Sequence, residues 1–118
     1  MTFAFKQDFT FEQRKEESKK VMEKYPDRRP IICEKIQNHS GFLPDIDRKK
    51  YLVPVDLTIG QFMYVIRKRL KLASEEAMFL FINGKLISGS AVIGLVYQFE
   101  HDPDGFLYVQ YAKENTFG

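Results

Sequence analysis

Residues 49–70 read KKYLVPVDLTIGQFMYVIRKRL, and this stretch predicts a strand followed by a helix. The β-rich run 49–53 ends at Pro54. Proline cannot donate a hydrogen bond to a sheet ladder, and lysines at a sheet margin discourage aggregation through unpaired backbone groups. Lys49, Lys50 and Pro54 therefore predict a strand at the edge of a sheet, with that edge open.

A helix is predicted for residues 59–70. Thr58 and Gln61 have the spacing of a capping box, which satisfies two backbone N–H groups at a helix start. Apolar residues then recur at helical intervals, and basic residues near the end complement the helix dipole. The apolar positions are Ile59, Phe62, Ile66 and Leu70, and the basic ones are Arg67, Lys68 and Arg69.

The rest of the chain alternates helical and strand-like segments. Thr10 and Gln13 repeat the capping-box spacing, and the apolar stripe that follows is narrow, so residues 11–24 are predicted to form a surface helix. That stripe consists of Phe11, Val21, Met22 and Tyr25. Strands are predicted at 30–36, 78–82 and 106–111, and a short helix is predicted to begin near Ser90. Asn83-Gly84 predicts a hairpin turn.

This order of elements predicts an α+β fold. A hairpin, a crossing helix and further strands within residues 28–112 give one sheet covered by a helix, which is the ubiquitin-like β-grasp. The charged helix at residues 11–24 is then an N-terminal addition. The chain is predicted to be a single domain, 1–118, because this length with 44% hydrophobic residues suits one compact core.

Charge is unevenly distributed along the chain. Residues 1–71 carry sixteen Lys and Arg against ten Asp and Glu, whereas residues 72–118 carry two against six. Such a distribution attracts acidic partners to the first part, although solvated helix surfaces explain the same charges equally well. Nucleic acid is the weaker interpretation, because four glutamates interrupt the basic residues of the first helix. They are Glu12, Glu16, Glu17 and Glu23.

Several classes of function are disfavoured. The sequence has neither a secretory signal nor an apolar run of about 20 residues, and its single cysteine suits a reducing compartment, so a cytoplasmic protein is predicted. Cys33 could pair with His39 or His101 as a nucleophile, but it lies within a strand, which favours a packed thiol. Asp102 and Asp104 flank a turn, and zinc-ligand spacing, phosphate-binding loops and GxSxG motifs do not occur. No enzyme activity, metal or cofactor is expected.

Six short segments, spread in order through nearly the whole chain, carry a family resemblance. They are Tyr25-Pro26-Asp27-Arg28, Lys49-Lys50-Tyr51-Leu52-Val53-Pro54, Leu57-Thr58-Ile59-Gly60-Gln61-Phe62, Ile66-Arg67-Lys68-Arg69, Asp104-Gly105-Phe106-Leu107-Tyr108 and Glu114-Asn115-Thr116-Phe117-Gly118. These segments resemble the GABARAP and microtubule-associated light-chain family of ubiquitin-like autophagy modifiers. The resemblance implies a β-grasp with two additional N-terminal helices, the first at residues 3–7 within an extension at 1–27, and a C-terminal tail at 113–118.

The resemblance also implies covalent attachment through Gly118. In the family, an activating enzyme adenylates the C-terminal glycine, a conjugating enzyme receives it as a thioester, and it is finally joined to phosphatidylethanolamine. A loose chain end without a Cβ suits a narrow enzyme channel. A cysteine protease of the family removes residues that follow this glycine in precursors and also deconjugates the lipid. The implied protein is a monomer that moves between the cytoplasm and autophagosomal membranes.

A site for short peptides is implied as well. Family members bind acidic motifs of cargo receptors, in which two residues separate an aromatic from an aliphatic residue, and the motif adds a strand to the second β-strand. One pocket would involve Glu17, Val21, Pro30, Ile32, Lys50, Leu52 and Phe106. The other would involve Tyr51, Val53, Pro54, Leu57, Phe62, Val65 and Ile66, although Phe62 and Ile66 suit a core role equally well. Arg28, Lys49, Lys50 and Arg69 would meet the acidic residues.

An unconjugated adaptor is the alternative function. In that hypothesis the basic N-terminal helices hold an acidic, tubulin-like surface in trafficking or at the cytoskeleton, and Gly118 has no covalent role. A lipid-linked product distinguishes the two hypotheses, because only the modifier forms one.

Overall fold

The computed structural model describes residues 3–36 and 43–113, which form four helices and five strands. The helices are α1 (Ala4–Asp8), α2 (Phe11–Lys24), α3 (Ile59–Leu70) and α4 (Ile93–Glu100). The strands are β1 (Arg28–Lys35), β2 (Lys50–Pro54), β3 (Phe79–Ile82), β4 (Lys85–Leu86) and β5 (Leu107–Ala112). Gly118 and His39, both named in the sequence analysis, lie outside the described residues.

The strands form one mixed sheet in the order β2-β1-β5-β3-β4. β1 and β5 are parallel, whereas β1 and β2, β3 and β5, and β3 and β4 pair in antiparallel fashion. The apolar side of α3 packs on one face of the sheet, where Phe62 and Ile66 share a cluster with Ile31 and Val109. Phe5 of α1 packs on the other face. This arrangement confirms the predicted β-grasp with N-terminal helices, and β2 lies at an edge as predicted.

Local sequence accounts for the starts of α2 and α3. Both helices begin with a complete capping box, formed by Thr10 with Gln13 and by Thr58 with Gln61. Each box satisfies two backbone N–H groups, one from the last residue before the helix and one from its first turn. The predicted bounds of both helices are confirmed.

Other elements differ from the predictions at their ends. α4 begins at Ile93 rather than near Ser90. The N–H groups of Ile93 and Gly94, the first two residues of α4, donate to the carbonyls of Leu57 and Val55 at 2.7 and 2.8 Å. These bonds hold the start of α4 against the segment after β2. The sequence does not predict β4, because a strand of two residues is too short to show alternation.

α2 meets the body of the protein through polar side chains. Arg14 and Ser18 are its buried residues, whereas Phe11 and Tyr25 are exposed, so the expected apolar stripe is wrong for those two. The Arg14 guanidinium pairs with the Asp104 carboxylate at 2.6 Å. The Ser18 hydroxyl donates to the Asp104 carbonyl, also at 2.6 Å. The buried side chains of α2 therefore make polar contacts, to the turn before β5.

Asp104 is fully buried and has several partners. Besides Arg14, its carboxylate accepts hydrogen bonds from the Tyr108 hydroxyl and from the Phe106 N–H. Burial and the hydrogen bond to Asp104 raise the pKa of Tyr108. A buried charge without such partners is strongly destabilising. Asp102 and Asp104 thus belong to a turn, as the sequence predicts, and Asp104 gives that turn a structural role.

A buried glutamate anchors α1. Glu34 of β1 accepts hydrogen bonds from the N–H groups of Ala4 and Phe5, at 2.8 and 3.0 Å. A helix start leaves such N–H groups without an internal partner. The Phe5 ring packs with Ile32 and Phe106. α1 begins one residue later than the family resemblance implies.

Gly105 occupies a position where any side chain would be strained and would collide. Its φ is +91°, and a Cβ would lie 2.2 Å from the Ser18 hydroxyl oxygen. We expect Gly105→Ala to lower the free energy of unfolding by about 2 kcal/mol, measured by urea denaturation. Gly84 is the matched control, because its φ is +75° and its Cβ would meet nothing within 4 Å. Gly84→Ala should lose only about 1 kcal/mol, and equal losses would contradict the close contact of this turn with α2.

Candidate functional site

One edge of β2 has no strand partner among the described residues. On the other edge, the Cys33 N–H donates to the Lys49 carbonyl at 2.8 Å, and the Val55 N–H donates to the Asp27 carbonyl at 3.0 Å. Backbone groups of successive residues in an antiparallel ladder point in alternate directions. Every second residue from Lys49 to Val55 therefore faces β1.

The backbone groups of Lys50, Leu52 and Pro54 consequently point away from β1. Lys50 and Leu52 each present an N–H donor and a carbonyl acceptor along this edge. Pro54 has no N–H, so a proline at an outward position removes no hydrogen bond from the sheet. The edge that the sequence marks with lysines and a proline is thus able to pair with an extended peptide.

The side chains of β2 divide between the two faces of the sheet. Tyr51 and Val53 pack into the cluster below α3, and the Tyr51 and Phe62 rings meet with their centroids 5.6 Å apart. Because side chains of a strand alternate, Lys50 and Leu52 point to the opposite face, on the side of α2. The open edge runs between these two groups of side chains.

The group on the α2 side lines a depression of about 260 Å³, which we call the α2-side pocket. Every residue expected there lines it except Ile32, which is fully buried and packs with Phe5 behind the pocket wall. Ile32 therefore supports this pocket without facing a ligand. The lining residues are Glu17, Val21, Pro30, Arg48, Lys50, Tyr51, Leu52 and Phe106.

The group on the α3 side lines a larger depression of about 460 Å³, which we call the α3-side pocket. Of the expected residues, Ile66 does not line it, because this side chain is completely buried in the core. Phe62 serves both roles, since it is buried and still contributes to the pocket wall. The lining residues are Arg48, Lys50, Tyr51, Leu52, Val53, Pro54, Leu57, Phe62 and Val65. We call β2 with its two pockets the β2 groove.

Most of the basic residues expected to meet an acidic ligand are paired within the protein. Lys49 Nζ lies 3.4 Å from a Glu34 carboxylate oxygen, and Arg69 Nε lies 2.8 Å from an Asp47 carboxylate oxygen. Their hydrogen bond raises the pKa of Arg69 and lowers the pKa of Asp47. Arg28 forms no ion pair in the part of the chain that the structure describes. Exposed ion pairs are weak, so a ligand carboxylate can compete for Arg69.

Lys50 also has an internal partner. Its Nζ lies 2.8 Å from a Glu17 carboxylate oxygen, across the α2-side pocket. Both side chains remain partly exposed to solvent. An acidic ligand in the β2 groove would therefore compete with Glu17 for this lysine.

Arg48 lines both pockets, although the sequence analysis does not single it out. It directly precedes Lys49 and Lys50, so its place in a basic run beside an edge strand is the signal that could have found it. The pockets meet at this end of β2, and Arg48 adds a positive charge that both of them share.

Tyr51 contributes its ring to the groove more than its hydroxyl. The hydroxyl oxygen is buried and has no hydrogen-bond partner among the residues that the structure describes. Burial, with a further effect of Cys33, raises the pKa of Tyr51 to about 12. The phenol is therefore neutral at physiological pH, and the contact of its ring with Phe62 is what shapes the pocket.

The sulfur and imidazole groups of the described residues show no catalytic arrangement. Cys33 is completely buried in β1, which confirms the predicted packed thiol, and burial raises the pKa of this thiol and so disfavours the reactive thiolate. His101 stacks on Tyr97 instead. Among residues 3–36 and 43–113, no group of His, Cys, Asp and Glu is placed to hold a metal ion. None of the described helices is long and apolar enough to span a bilayer.

The sheet order, the helix across one face and the open edge between two pockets define a ubiquitin-like protein with a place for an added strand. Residues 13–118 match a family model described as "Autophagy protein Atg8 ubiquitin like". The chain belongs to this Atg8 family, which confirms the family predicted from the sequence.

Named relatives match the chain over its whole length. "Autophagy-related protein 8" of Mycosarcoma maydis is 53% identical over 118 residues, covering 100% of this chain and 98% of its own. The Schizosaccharomyces pombe protein of that name is also 53% identical, covering 100% of this chain and 96% of its own. The crystal structure of Trypanosoma brucei ATG8 matches with a TM-score of 0.90 and 45% identity, covering 100% of both chains. The chain is therefore an Atg8-type ubiquitin-like modifier of autophagy.

Proposed function

We propose that this modifier is joined through Gly118 to phosphatidylethanolamine and recruits proteins that carry an acidic motif of the form aromatic-x-x-aliphatic to autophagosomal membranes. The observation that carries the recruiting role is the open edge of β2 between two pockets, each lined by both apolar and basic side chains. The full-length match to relatives named for autophagy supports the conjugating role.

Sheet geometry explains why two residues separate the aromatic from the aliphatic residue. Side chains an odd number of residues apart point to opposite faces of a strand. Residues i and i+3 of an added strand would therefore enter the α2-side pocket and the α3-side pocket, one each. They lie about 10 Å apart along the strand. Backbone hydrogen bonds to Lys50 and Leu52 would hold the strand, while the pockets select the side chains.

Covalent attachment would use only the carboxyl group of Gly118. An activating enzyme joins this carboxyl group to AMP from ATP and releases pyrophosphate. An enzyme thiolate then displaces AMP and forms a thioester, and the acyl group passes to a thiolate of the conjugating enzyme. The lipid amine then displaces the last thiol and forms an amide. A cysteine protease that hydrolyses this amide would return the protein to the cytoplasm. The chain itself would need no catalytic group and no cofactor.

Reconstitution tests this function directly. The chain is incubated with the activating and conjugating enzymes, ATP and liposomes that contain phosphatidylethanolamine, and the products are separated by gel electrophoresis and weighed by mass spectrometry. We expect a lipid-linked product that requires ATP, both enzymes and the lipid amine. Failure to form it, together with binding of the unconjugated chain to an acidic tubulin-like surface, would favour the adaptor hypothesis instead.

The Lys50–Glu17 ion pair leads to a prediction about affinity. Glu17→Gln removes the carboxylate that pairs with Lys50. We therefore expect a motif peptide with a Phe and acidic flanks to bind this variant about threefold more tightly than it binds the unsubstituted chain. Any change seen with the same peptide carrying serine flanks is subtracted from this gain. Isothermal titration calorimetry measures both affinities. Glu16→Gln is the matched control, because Glu16 pairs with Lys20 and lines neither pocket. The same gain in both variants would show that only the net charge matters.

A further inference from the structure

A third depression lies on a different face of α2, beside the turn before β5. Helical periodicity turns Lys15, Lys19 and Met22 away from the face that carries Glu17 and Val21. We call this depression of about 360 Å³ the turn pocket. It is lined by Lys15, Ser18, Lys19, Met22, Glu23, Pro103, Asp104 and Gly105.

The uncharged polar groups at the floor of the turn pocket already have partners inside the protein. The Ser18 hydroxyl donates to the Asp104 carbonyl, and the Tyr97 hydroxyl donates to the Gly105 carbonyl at 2.6 Å. Because these groups have partners, they do not need a ligand. The surface that remains for one is mainly apolar and is provided by Met22, Pro103 and Gly105.

The rim of the turn pocket is positively charged. Lys15 and Lys19 form no ion pair within residues 3–36 and 43–113, and the nearest aromatic contact of Lys15 is the Phe11 ring at 5.7 Å from Nζ. Glu23 is the opposing charge at this rim, while Asp104 is paired inside the protein. Two lysines against one available carboxylate leave an excess of positive charge around an apolar floor.

We propose that the turn pocket binds one apolar side chain of a partner peptide whose neighbouring residues are Asp or Glu. The apolar floor takes the side chain, and Lys15 and Lys19 attract the flanking carboxylates. An apolar depression with a charged rim is typical of an interaction site. Its volume lies between those of the α2-side and α3-side pockets, about 260 and 460 Å³, each of which takes one side chain in the proposed function. This site is independent of the β2 groove and of conjugation.

Chemical-shift mapping of the full chain tests this proposal. The probes are the peptides acetyl-Asp-Asp-X-Asp-Asp-amide, in which X is Leu, Met, Phe or Ser, and none of them contains the aromatic-x-x-aliphatic motif. We expect saturable shifts of the Ser18, Lys19, Met22 and Gly105 amides with at least one apolar X, and much weaker binding when X is Ser. No saturable shift with any of the peptides, or shifts centred on Lys50 and Leu52 instead, would overturn the proposal.

Charge reversal supplies the matched variants. Lys15→Glu with Lys19→Glu should weaken the best peptide by about tenfold. Lys20→Glu with Lys24→Glu makes the same change at the same spacing on α2, outside the turn pocket, and should have little effect. Equal losses in both pairs would show unspecific attraction and would overturn the site. Binding of phosphatidylserine vesicles, lost only in the first pair and without any peptide shifts, would assign the pocket to a lipid surface and overturn the proposal as well.

Discussion

Gly118→Ala is expected to yield no lipid-linked product under conditions in which the unsubstituted chain is converted. The reason is steric, because in the proposed conjugation the carboxyl group would enter enzyme channels that a residue without a Cβ passes most easily. The measurement is the reconstituted reaction, followed over time by gel electrophoresis and by the mass of the products. The affinity of Gly118→Ala for a motif peptide should equal that of the unsubstituted chain, since the substitution changes none of the residues that line the β2 groove.

Gly84→Ala is the control for this experiment. It adds the same methyl group at a glycine around which a Cβ would meet nothing within 4 Å, far along the chain from Gly118. We expect this variant to be conjugated at the normal rate despite its slightly lower stability. Normal conjugation of Gly118→Ala would refute the requirement for a residue without a Cβ at the point of attachment, while leaving the β2 groove to be judged on its own evidence.

Joint replacement of Tyr51 and Leu52 by alanine should weaken an acidic aromatic-x-x-aliphatic peptide by about 3 kcal/mol, or more than a hundredfold. The two side chains point to opposite faces of β2, so the double variant damages both pockets at once. Loss of the Tyr51 ring also removes its contact with Phe62, which forms part of the wall of the α3-side pocket. Isothermal titration calorimetry at a temperature where the variant is folded measures the loss.

The matched control replaces a tyrosine and a leucine that lie outside the β2 groove. Tyr64 is 60% exposed and Leu95 is 53% exposed, and neither lines the α2-side or the α3-side pocket. We expect Tyr64→Ala with Leu95→Ala to leave the peptide affinity within about twofold of the unsubstituted value. Unchanged affinity of the Tyr51 and Leu52 variant, or an equal loss in the control, would count against the site.

Local sequence signals account for the groove and for the two long helices. The capping boxes at Thr10 and Thr58 are complete within four residues, and the predicted starts of α2 and α3 are confirmed. Pro54 and the neighbouring lysines mark β2 as an edge strand because their effects depend on backbone pairing alone. The helix starts and the edge strand can be predicted because the residues that determine each of them are close together in the sequence.

Features that depend on distant residues could not be predicted. The buried polar contact of α2 joins Arg14 and Ser18 to Asp104, which is 90 and 86 residues away along the chain. Apolar periodicity carries no information about such a contact, and the predicted stripe therefore included Phe11 and Tyr25, which are exposed, and left out Arg14 and Ser18, which are buried. The complete burial of Ile32 and Ile66 is another example. A helical or strand pattern predicts which face a side chain is on, but it does not predict whether another side chain covers it.

The central claim is that the backbone N–H and carbonyl groups of every second residue of β2 are unpaired in the free protein and form hydrogen bonds with a bound motif peptide. Amide hydrogen exchange, measured residue by residue with and without a saturating acidic aromatic-x-x-aliphatic peptide, tests this most directly. We predict that Lys50 and Leu52 exchange fast in the free protein and become protected in the complex, while Tyr51 and Val53 are protected in both states. Protection of Lys50 and Leu52 before the peptide is added, or no change when it binds, would contradict this account.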